Sequence, residues 1–131
     1  MRVLLLTKYD TLGASSRLRS LQYLPYLERR DIDVTHRPLF PNSYLEGLYR
    51  AGRRSPLIVL ASYLRRIRYA LLHRRFDLVW LEKELLPWLP EGLLAPRPYV
   101  VDYDDAIFHT YDSSPRASVR RLLGRKIANV M

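Results

Sequence analysis

Residues 1–30 read MRVLLLTKYDTLGASSRLRSLQYLPYLERR, and this stretch decides the fold class. Residues Arg2–Leu6, which are apolar from Val3 onward, predict a buried strand, and a polar loop with a single glycine, Gly13, follows. An amphipathic helix is expected over residues 16–29, with Pro25 kinking or shortening it. A strand, a glycine-containing loop and a helix are typical of the first βα unit of an open α/β sheet. Ligands of such sheets lie at the carboxyl ends of the strands.

The rest of the chain continues to alternate strands with helices. The patterns predict strands over 32–36, 76–81 and 98–101, helices over 43–51, 56–74 and 118–131, a short irregular helix over 85–94, and loops over 38–42 and 106–114. Because strands alternate with helices, the crossovers should be right-handed and the strands parallel. We therefore predict one domain over residues 1–131: an α/β, Rossmann-like open parallel sheet of about four or more strands with helices on both faces.

The charge balance of the chain is strongly basic, with a net charge of +9 and a pI near 10.2. Lysine occurs only at positions 8, 83 and 126, so 19 of the 22 basic residues are arginine. This surplus favours polyanions, phosphorylated substrates or an anionic membrane face. The chain has no cysteine, which excludes disulfides and thiolate metal sites. Its N-terminal apolar run is too short for a signal peptide, which predicts a cytoplasmic protein.

The first candidate site is the loop and helix start after the first strand. It contains neither a G-x-G-x-x-G fingerprint nor a P-loop, so classical dinucleotide or ATP binding is not expected. Gly13 permits close approach of the backbone to a ligand, and the free N–H groups of the helix start favour an anion or a sugar hydroxyl. Arg17 and Arg19 favour binding, because each guanidinium needs an anionic counterpart. The alternative is that Ser15 or Ser16 is a plain helix N-cap.

Two carboxylate clusters follow later strands, Glu82-Lys83-Glu84 after the third and Asp102, Asp104 and Asp105 after the fourth. The first lies where α/β enzymes place working residues, although a solvated charge run is an equal alternative. The second needs a cation, an arginine or sugar hydroxyls to offset the repulsion of its carboxylates. One aspartate, or the nearby His109, is a candidate base. No second ligand cluster supports a metal site, and none is predicted.

The predicted helix over residues 56–74 carries one apolar stripe and many arginines. The stripe is Leu57, Leu60, Ala61, Leu64, Ile67, Leu71 and Leu72, and the other side carries Arg65, Arg66, Arg68, Arg74 and Arg75. The preferred interpretation is a helix that covers the sheet with its apolar side and exposes its arginines. The alternative is a helix over 56–75 that lies on an anionic bilayer.

Together these segments resemble the N-terminal domain of GT-B-fold glycosyltransferases, in the large family-four group of retaining enzymes. The matching segments are SSRLRSLQYLPYLERR, FDLVWLEKELLPW, VVDYDDAIFHTYD and RRLLGRKIANVM, in that order along nearly the whole chain. The resemblance implies two Rossmann-like domains that face a cleft. The N-terminal domain holds the acceptor, and the C-terminal domain holds a nucleotide-sugar co-substrate without bound metal or cofactor. That donor-binding half is absent from these 131 residues, so the chain alone is expected to be inactive.

The resemblance also assigns expected roles to individual residues. The loop after the first strand would line the cleft near the donor phosphates through Gly13, Ala14, Ser15, Ser16 and Arg17, with Arg19 beside them. The family often presents His-Asp after the fourth strand, but here Asp102 to Asp105 has no histidine in front. Asp104, Asp105 and His109 are therefore the expected catalytic residues. Asp102, Glu82 and Glu84 would hold hydroxyls of a glycan, lipid-linked or small-molecule acceptor. Peripheral contact with the inner face of a membrane would run through residues 56–75.

Two other functions stay open at this point. A non-catalytic Rossmann-like module would bind a phosphorylated ligand, at Ser15, Ser16 and Arg17, or a partner protein. A nucleic-acid binder ranks last, because no recognised motif is present and the arginines are spread over several elements. Self-association is also expected, since a lone acceptor domain would expose the cleft wall that its second half covers.

Overall fold

The computed structural model describes residues 1–90, 98–103 and 109–128. Its four strands are β1 (Arg2–Leu6), β2 (Asp33–His36), β3 (Leu78–Glu82) and β4 (Tyr99–Asp102), in the order β2-β1-β3-β4. All neighbouring pairs are parallel, so the predicted α/β class and Rossmann-like parallel sheet are confirmed. The carboxyl ends of the strands meet at one edge of this sheet, which we call the carboxyl edge.

Six α-helices accompany the described strands: α1 (Ala14–Arg19), α2 (Leu24–Glu28), α3 (Asn42–Ala51), α4 (Pro56–Leu71), α5 (His109–Asp112) and α6 (Ala117–Leu123). Short 3₁₀ turns cover Leu21–Tyr23 and His73–Arg75. The start of α4 follows from its sequence, because Ser55 accepts a hydrogen bond from the Ile58 amide and Pro56 occupies the first turn. Gly52 ends α3 in the left-handed conformation, with φ of 61°.

The main core lies between the sheet and α4. Strand β1 lies between β2 and β3, and every residue from Val3 to Leu6 is at most 3% exposed. Leu4 and Leu6 pair in register with Val79 and Leu81, and Ala70 packs against them. A second cluster joins α3 to the start of α4, and a third joins α5 to α6.

Several predicted elements have different bounds in the structure. The helix expected over 16–29 is broken into α1, a 3₁₀ turn and α2, and Pro25 lies in the first turn of α2, where its missing N–H is tolerated. The described part of the predicted helix over 85–94, residues 85–90, forms turns because Pro87 and Pro90 interrupt it. The predicted loop over 106–114 contains α5. The helix expected over 118–131 begins at Ala117 and ends at Leu123, and residues 124–128 form turns.

The orientation of α4 corrects the sequence interpretation. Leu57, Leu60, Leu64 and Leu71 are 76%, 57%, 60% and 63% exposed, whereas Arg66 is buried. The side facing the sheet instead carries Ser62, Arg66 and Ala70, with Tyr63 and Ile67 against the core. A guanidinium of Arg66 donates to the carbonyl of Thr7 at the end of β1. Its Nε and Nη1 are buried without a hydrogen-bond partner, so the burial of this side of α4 carries an electrostatic cost.

Candidate functional site

Glu82, the last residue of β3, forms the centre of a closed polar cluster at the carboxyl edge. Its side chain is buried and accepts hydrogen bonds from Ser15 Oγ at 2.9 Å, Ser16 Oγ at 2.6 Å and the Lys8 amide at 3.1 Å. Ser16 Oγ in turn accepts from the Tyr9 amide. We call these groups the Glu82 cluster. The cluster brings together predicted site residues from α1 and β3, and it joins the loop after β1 to the end of β3.

Gly13 packs closely against Tyr9, which leaves no room for a side chain at position 13. It is the N-cap of α1 without a side-chain cap bond, so the alternative of Ser15 or Ser16 as the N-cap is wrong. A Cβ atom on Gly13 would lie 2.3 Å from the Cβ of Tyr9, a distance that side chains do not tolerate. The close approach at Gly13 is thus to Tyr9.

Three other residues of the first candidate site lie close by. Ala14 is exposed at the first position of α1, and Arg17 donates to the Thr11 carbonyl at 3.1 Å. Arg19 forms a bidentate pair with Asp102, with Nε 2.9 Å from Oδ2 and Nη2 bonded to Oδ1. Asp102 is therefore the anionic counterpart of Arg19, and the pair lies in a shallow depression beside Trp80.

A cavity of about 430 Å³ opens at the carboxyl edge, between the ends of β1 and β3 and the helices α3 and α4. Six aromatic side chains line it: Tyr9, Phe40, Tyr44, Tyr63, Trp88 and Tyr111. Its charged wall residues include the cations Lys8, Arg54 and Lys83 and the carboxylate of Glu84. We call it the aromatic cavity. Apolar walls with a few polar groups are typical of small-molecule sites.

The aromatic walls are packed against one another. Phe40 stacks on Tyr44 with ring centroids 4.3 Å apart, and Trp88 meets Tyr111 edge to face at 5.3 Å. Burial raises the pKa of Tyr9 above its ordinary value, and the neighbouring Tyr44 adds to this effect. Burial, followed by the charge of Glu84, raises the pKa of Tyr63 in the same way. Their phenol groups therefore stay protonated at neutral pH, and the Tyr63 hydroxyl donates its hydrogen bond to the Pro87 carbonyl at 2.6 Å.

Glu84 connects the cavity wall to α5 and to the turns after α6. Its Oε1 accepts from the hydroxyl of Tyr111 at 2.6 Å and lies 2.7 Å from Nζ of Lys126. Lys126 also donates to the Leu86 carbonyl at 2.7 Å. Burial and the hydrogen bond to Glu84 raise the pKa of Tyr111. These contacts fix the carboxylate and the phenol as a rigid part of the wall.

The backbone of this wall is strained at two positions. Lys83 and Trp88 both have φ of 63°, in the left-handed region that residues other than glycine rarely adopt. The third such residue in the described part of the chain, Asp31, lies in the turn before β2. Residues held in such conformations cluster at ligand sites, because the surrounding structure has to impose them. The two strained wall residues therefore support a functional role for the aromatic cavity.

Sequence reasoning missed the aromatic lining, although one signal pointed to it. In a chain with only three lysines, Lys8 and Lys83 lie on the cavity wall, and Lys126 pairs with Glu84. The aromatic residues themselves come from segments between positions 9 and 111, and no local pattern connects them.

Of the three expected catalytic residues, the structure describes only His109. Asp104 and Asp105 lie outside the described residues. His109 begins α5, is largely exposed and lies 3.2 Å from the Asp112 carboxylate. The next two residues, Thr110 and Tyr111, line the aromatic cavity. Among the described residues, no group of three or more histidine or acidic side chains is arranged to hold a metal ion.

Comparison with protein-family models, with curated proteins and with solved structures finds no match to this chain. Over the described ranges, no helix has the length and apolar character needed to cross a membrane. Function is therefore inferred from the carboxyl edge and its aromatic cavity.

Proposed function

We propose that this chain is the acceptor-binding domain of a GT-B-type glycosyltransferase, which moves a sugar from a nucleotide-sugar to an acceptor hydroxyl. The observation that carries the proposal is the aromatic cavity, because ligands of open α/β sheets bind at the carboxyl edge. Aromatic faces offer a large apolar surface for a sugar ring, and Glu84 with the phenol groups of Tyr9 and Tyr44 offers hydrogen-bond partners for its hydroxyls. The acceptor is a glycan, a lipid-linked sugar or a small molecule.

In this proposal a second Rossmann-like domain holds the donor and faces the carboxyl edge. Ser15, Ser16 and Arg17 shape the donor side of the cleft. The acceptor hydroxyl attacks the anomeric carbon, the nucleoside diphosphate leaves, and a base takes the hydroxyl proton. The candidates for this base are Asp104, Asp105 and His109, and the position of His109 directly before the cavity residue Thr110 supports it.

The proposal is tested first on the coding sequence and its product. We expect the reading frame to continue past the codon for Met131 into a second Rossmann-like half with paired glutamates. The protein it encodes should release nucleoside diphosphate from a nucleotide-sugar in the presence of an acceptor. A frame without such a half, or an encoded protein that releases no diphosphate from any nucleotide-sugar tried, contradicts the proposal.

Sugar binding can be tested on the 131-residue chain itself, because one of its two tryptophans lines the cavity. Titration with the methyl glycosides of glucose, mannose and galactose should change the fluorescence of Trp88. Trp88→Phe should remove the response, whereas Trp80→Phe, outside this cavity, should keep it. A response that survives in Trp88→Phe would show that the sugar binds elsewhere.

A second candidate function is a non-catalytic module that binds a phosphorylated ligand. Lys8, Arg54 and Lys83 on the cavity wall favour it, because clustered cations attract phosphate. Glucose 1-phosphate and glucose, titrated in parallel, distinguish the two functions. Tight binding of the phosphate alone, with no transfer by the full-length protein, would favour the module.

A further inference from the structure

The outward side of α4 carries a continuous apolar stripe. Leu57, Leu60, Leu64 and Leu71 are spaced by three, four and seven residues, so their side chains lie on one side of the helix. Each of the four is more than half exposed. Scattered single leucines are normal on protein surfaces, but an aligned row marks an interaction site. We call this row the leucine stripe.

The segment of the chain that carries the leucine stripe is basic. Residues 47–76 contain eight arginines and no aspartate or glutamate. The exposed arginines stand before the helix, within it and after it, at Arg53, Arg54, Arg68, Arg74 and Arg75. The leucine stripe therefore lies on a helix that contains exposed Arg68 and is flanked at both ends by exposed arginines.

We propose that α4 lies on the surface of an anionic lipid bilayer, with the leucine stripe in the headgroup–acyl boundary and the arginines at lipid phosphates. Helices that combine a leucine face with arginines bind in this way, through apolar burial and attraction to anionic lipids. A second copy of this chain fits the stripe less well, because residues 47–76 of the two copies would bring their arginines together and contain no carboxylate to offset them.

The same helix connects this surface to the aromatic cavity. Val59 and Tyr63 of α4 and Arg54 just before it line the cavity, while Leu57, Leu60 and Leu64 face outward. Binding through the leucine stripe would thus hold the cavity beside the bilayer. The membrane contact does not depend on sugar transfer, and each can fail without the other.

Sedimentation with vesicles tests the proposal on the purified chain. The vesicles are phosphatidylcholine alone, or phosphatidylcholine with about one third phosphatidylglycerol as the anionic lipid. We expect binding to the anionic vesicles only, and release at about 0.5 M salt, where exposed charges are screened. The double variant Leu60→Gln/Leu64→Gln should bind at least about tenfold more weakly. Leu18→Gln/Leu122→Gln, which changes two exposed leucines on α1 and α6, is the matched control and should bind as the parent does.

Three results would overturn the proposal. The parent chain could fail to sediment with anionic vesicles, or the control double variant could lose as much binding as the α4 variant. Analytical ultracentrifugation could also show a dimer that Leu60→Gln/Leu64→Gln converts to a monomer, without vesicle binding by the parent, which would assign the stripe to a second copy. Circular dichroism checks that both double variants are folded. Because all four changed leucines are exposed, their melting curves should match the parent's.

Discussion

Glu82 and Glu84 stand two residues apart at the carboxyl edge, yet they belong to regions of opposite character. Glu82 is enclosed by two serine hydroxyls and a backbone amide, and its cluster closes the edge. Glu84 lies on the wall of an open cavity, next to the strained Lys83. The difference teaches that polar residues at the same edge of an α/β sheet divide between closing that edge and lining a cavity, even where, as at Glu84, contacts within the protein hold the side chain. The surroundings of each carboxylate decide which task it has.

Removal of the Glu82 carboxylate should have the largest effect on stability. Glu82→Ala leaves two hydroxyls and the Lys8 amide without their buried acceptor, and we expect a loss of roughly 3 kcal/mol in the free energy of unfolding. Urea denaturation measures it. Glu28→Ala on the exposed side of α2 is the matched control and should change stability little. Equal losses in the two variants would contradict the structural role of Glu82.

The loop that carries the Glu82 cluster can be tested at its glycine. Gly13→Ala places a methyl group against Tyr9, and we expect a loss of about 2 kcal/mol from this overpacking. Gly47→Ala, inside α3 with open space around it, should instead stabilise the protein by about 1 kcal/mol. Thermal and urea unfolding of the two variants compare the changes. If Gly13→Ala is as stable as the parent chain, Tyr9 can move away from the new methyl group at little cost.

In the strained cavity wall, unlike at Gly13, we expect a substitution to increase the free energy of unfolding. Lys83→Gly relieves a left-handed backbone, and we expect a gain of roughly 0.5–1 kcal/mol in stability. The same change should weaken binding of glucose 1-phosphate in the fluorescence titration. Asp31→Gly, with φ of 57° in the turn before β2, is the matched control. It should show a similar gain in stability with unchanged binding. Loss of both stability and binding in Lys83→Gly would mean that the side chain mainly supports the fold.

The smallest expected effect is a pH dependence from His36, close to the Glu82 cluster. Its Nε2 lies 2.8 Å from Thr7 Oγ, and burial lowers its pKa below the ordinary histidine value. The unfolded chain therefore binds the histidine proton more readily than the folded chain does. The His36 contribution to stability is complete above a pH of about 6.5 and falls as the pH drops below that value.

The pH dependence is measured by urea unfolding at about pH 7 and about pH 5, on either side of the ordinary histidine pKa. His36→Gln should lose less stability between these two conditions than the parent chain does. His73→Gln is the control, because His73 lies in the 3₁₀ turn after α4 and contacts the Ala70 carbonyl. An identical pH dependence in the parent and in His36→Gln would exclude the contribution.

The sequence predicted the sheet well because its strands are nearly continuous apolar runs. The runs around Leu4 and Val79 predicted two central strands, and the end of β3 next to the loop after β1 follows from parallel topology. The proximity of Ser15, Ser16 and Glu82 was therefore predictable as well. Hydrogen bonds between these side chains were not, because the pattern does not distinguish a partner within the protein from a ligand.

Two features escaped sequence reasoning for physical reasons. Periodicity finds the side of α4 that carries leucines. It does not show that the opposite side, where Arg66 bonds to the Thr7 carbonyl, is the one that is buried. The aromatic cavity combines side chains from loops and helices far apart in the chain, such as Tyr9, Tyr63 and Tyr111. Only the tertiary structure brings these residues together, so no local pattern could predict their shared site.

Arg66 is buried on the side of α4 that faces the sheet, whereas the leucine stripe faces outward. Burial of a leucine is worth about 1.5–3 kcal/mol, so hydrophobicity alone would turn the leucine stripe toward the sheet. Burial lowers the pKa of the guanidinium, and the charge of Glu82 opposes that shift, so the carboxylate helps to keep Arg66 ionised inside the protein. Loss of the Glu82 charge would therefore increase the cost of keeping Arg66 buried, and it would favour a rotation of α4 that turns the leucine stripe toward the sheet.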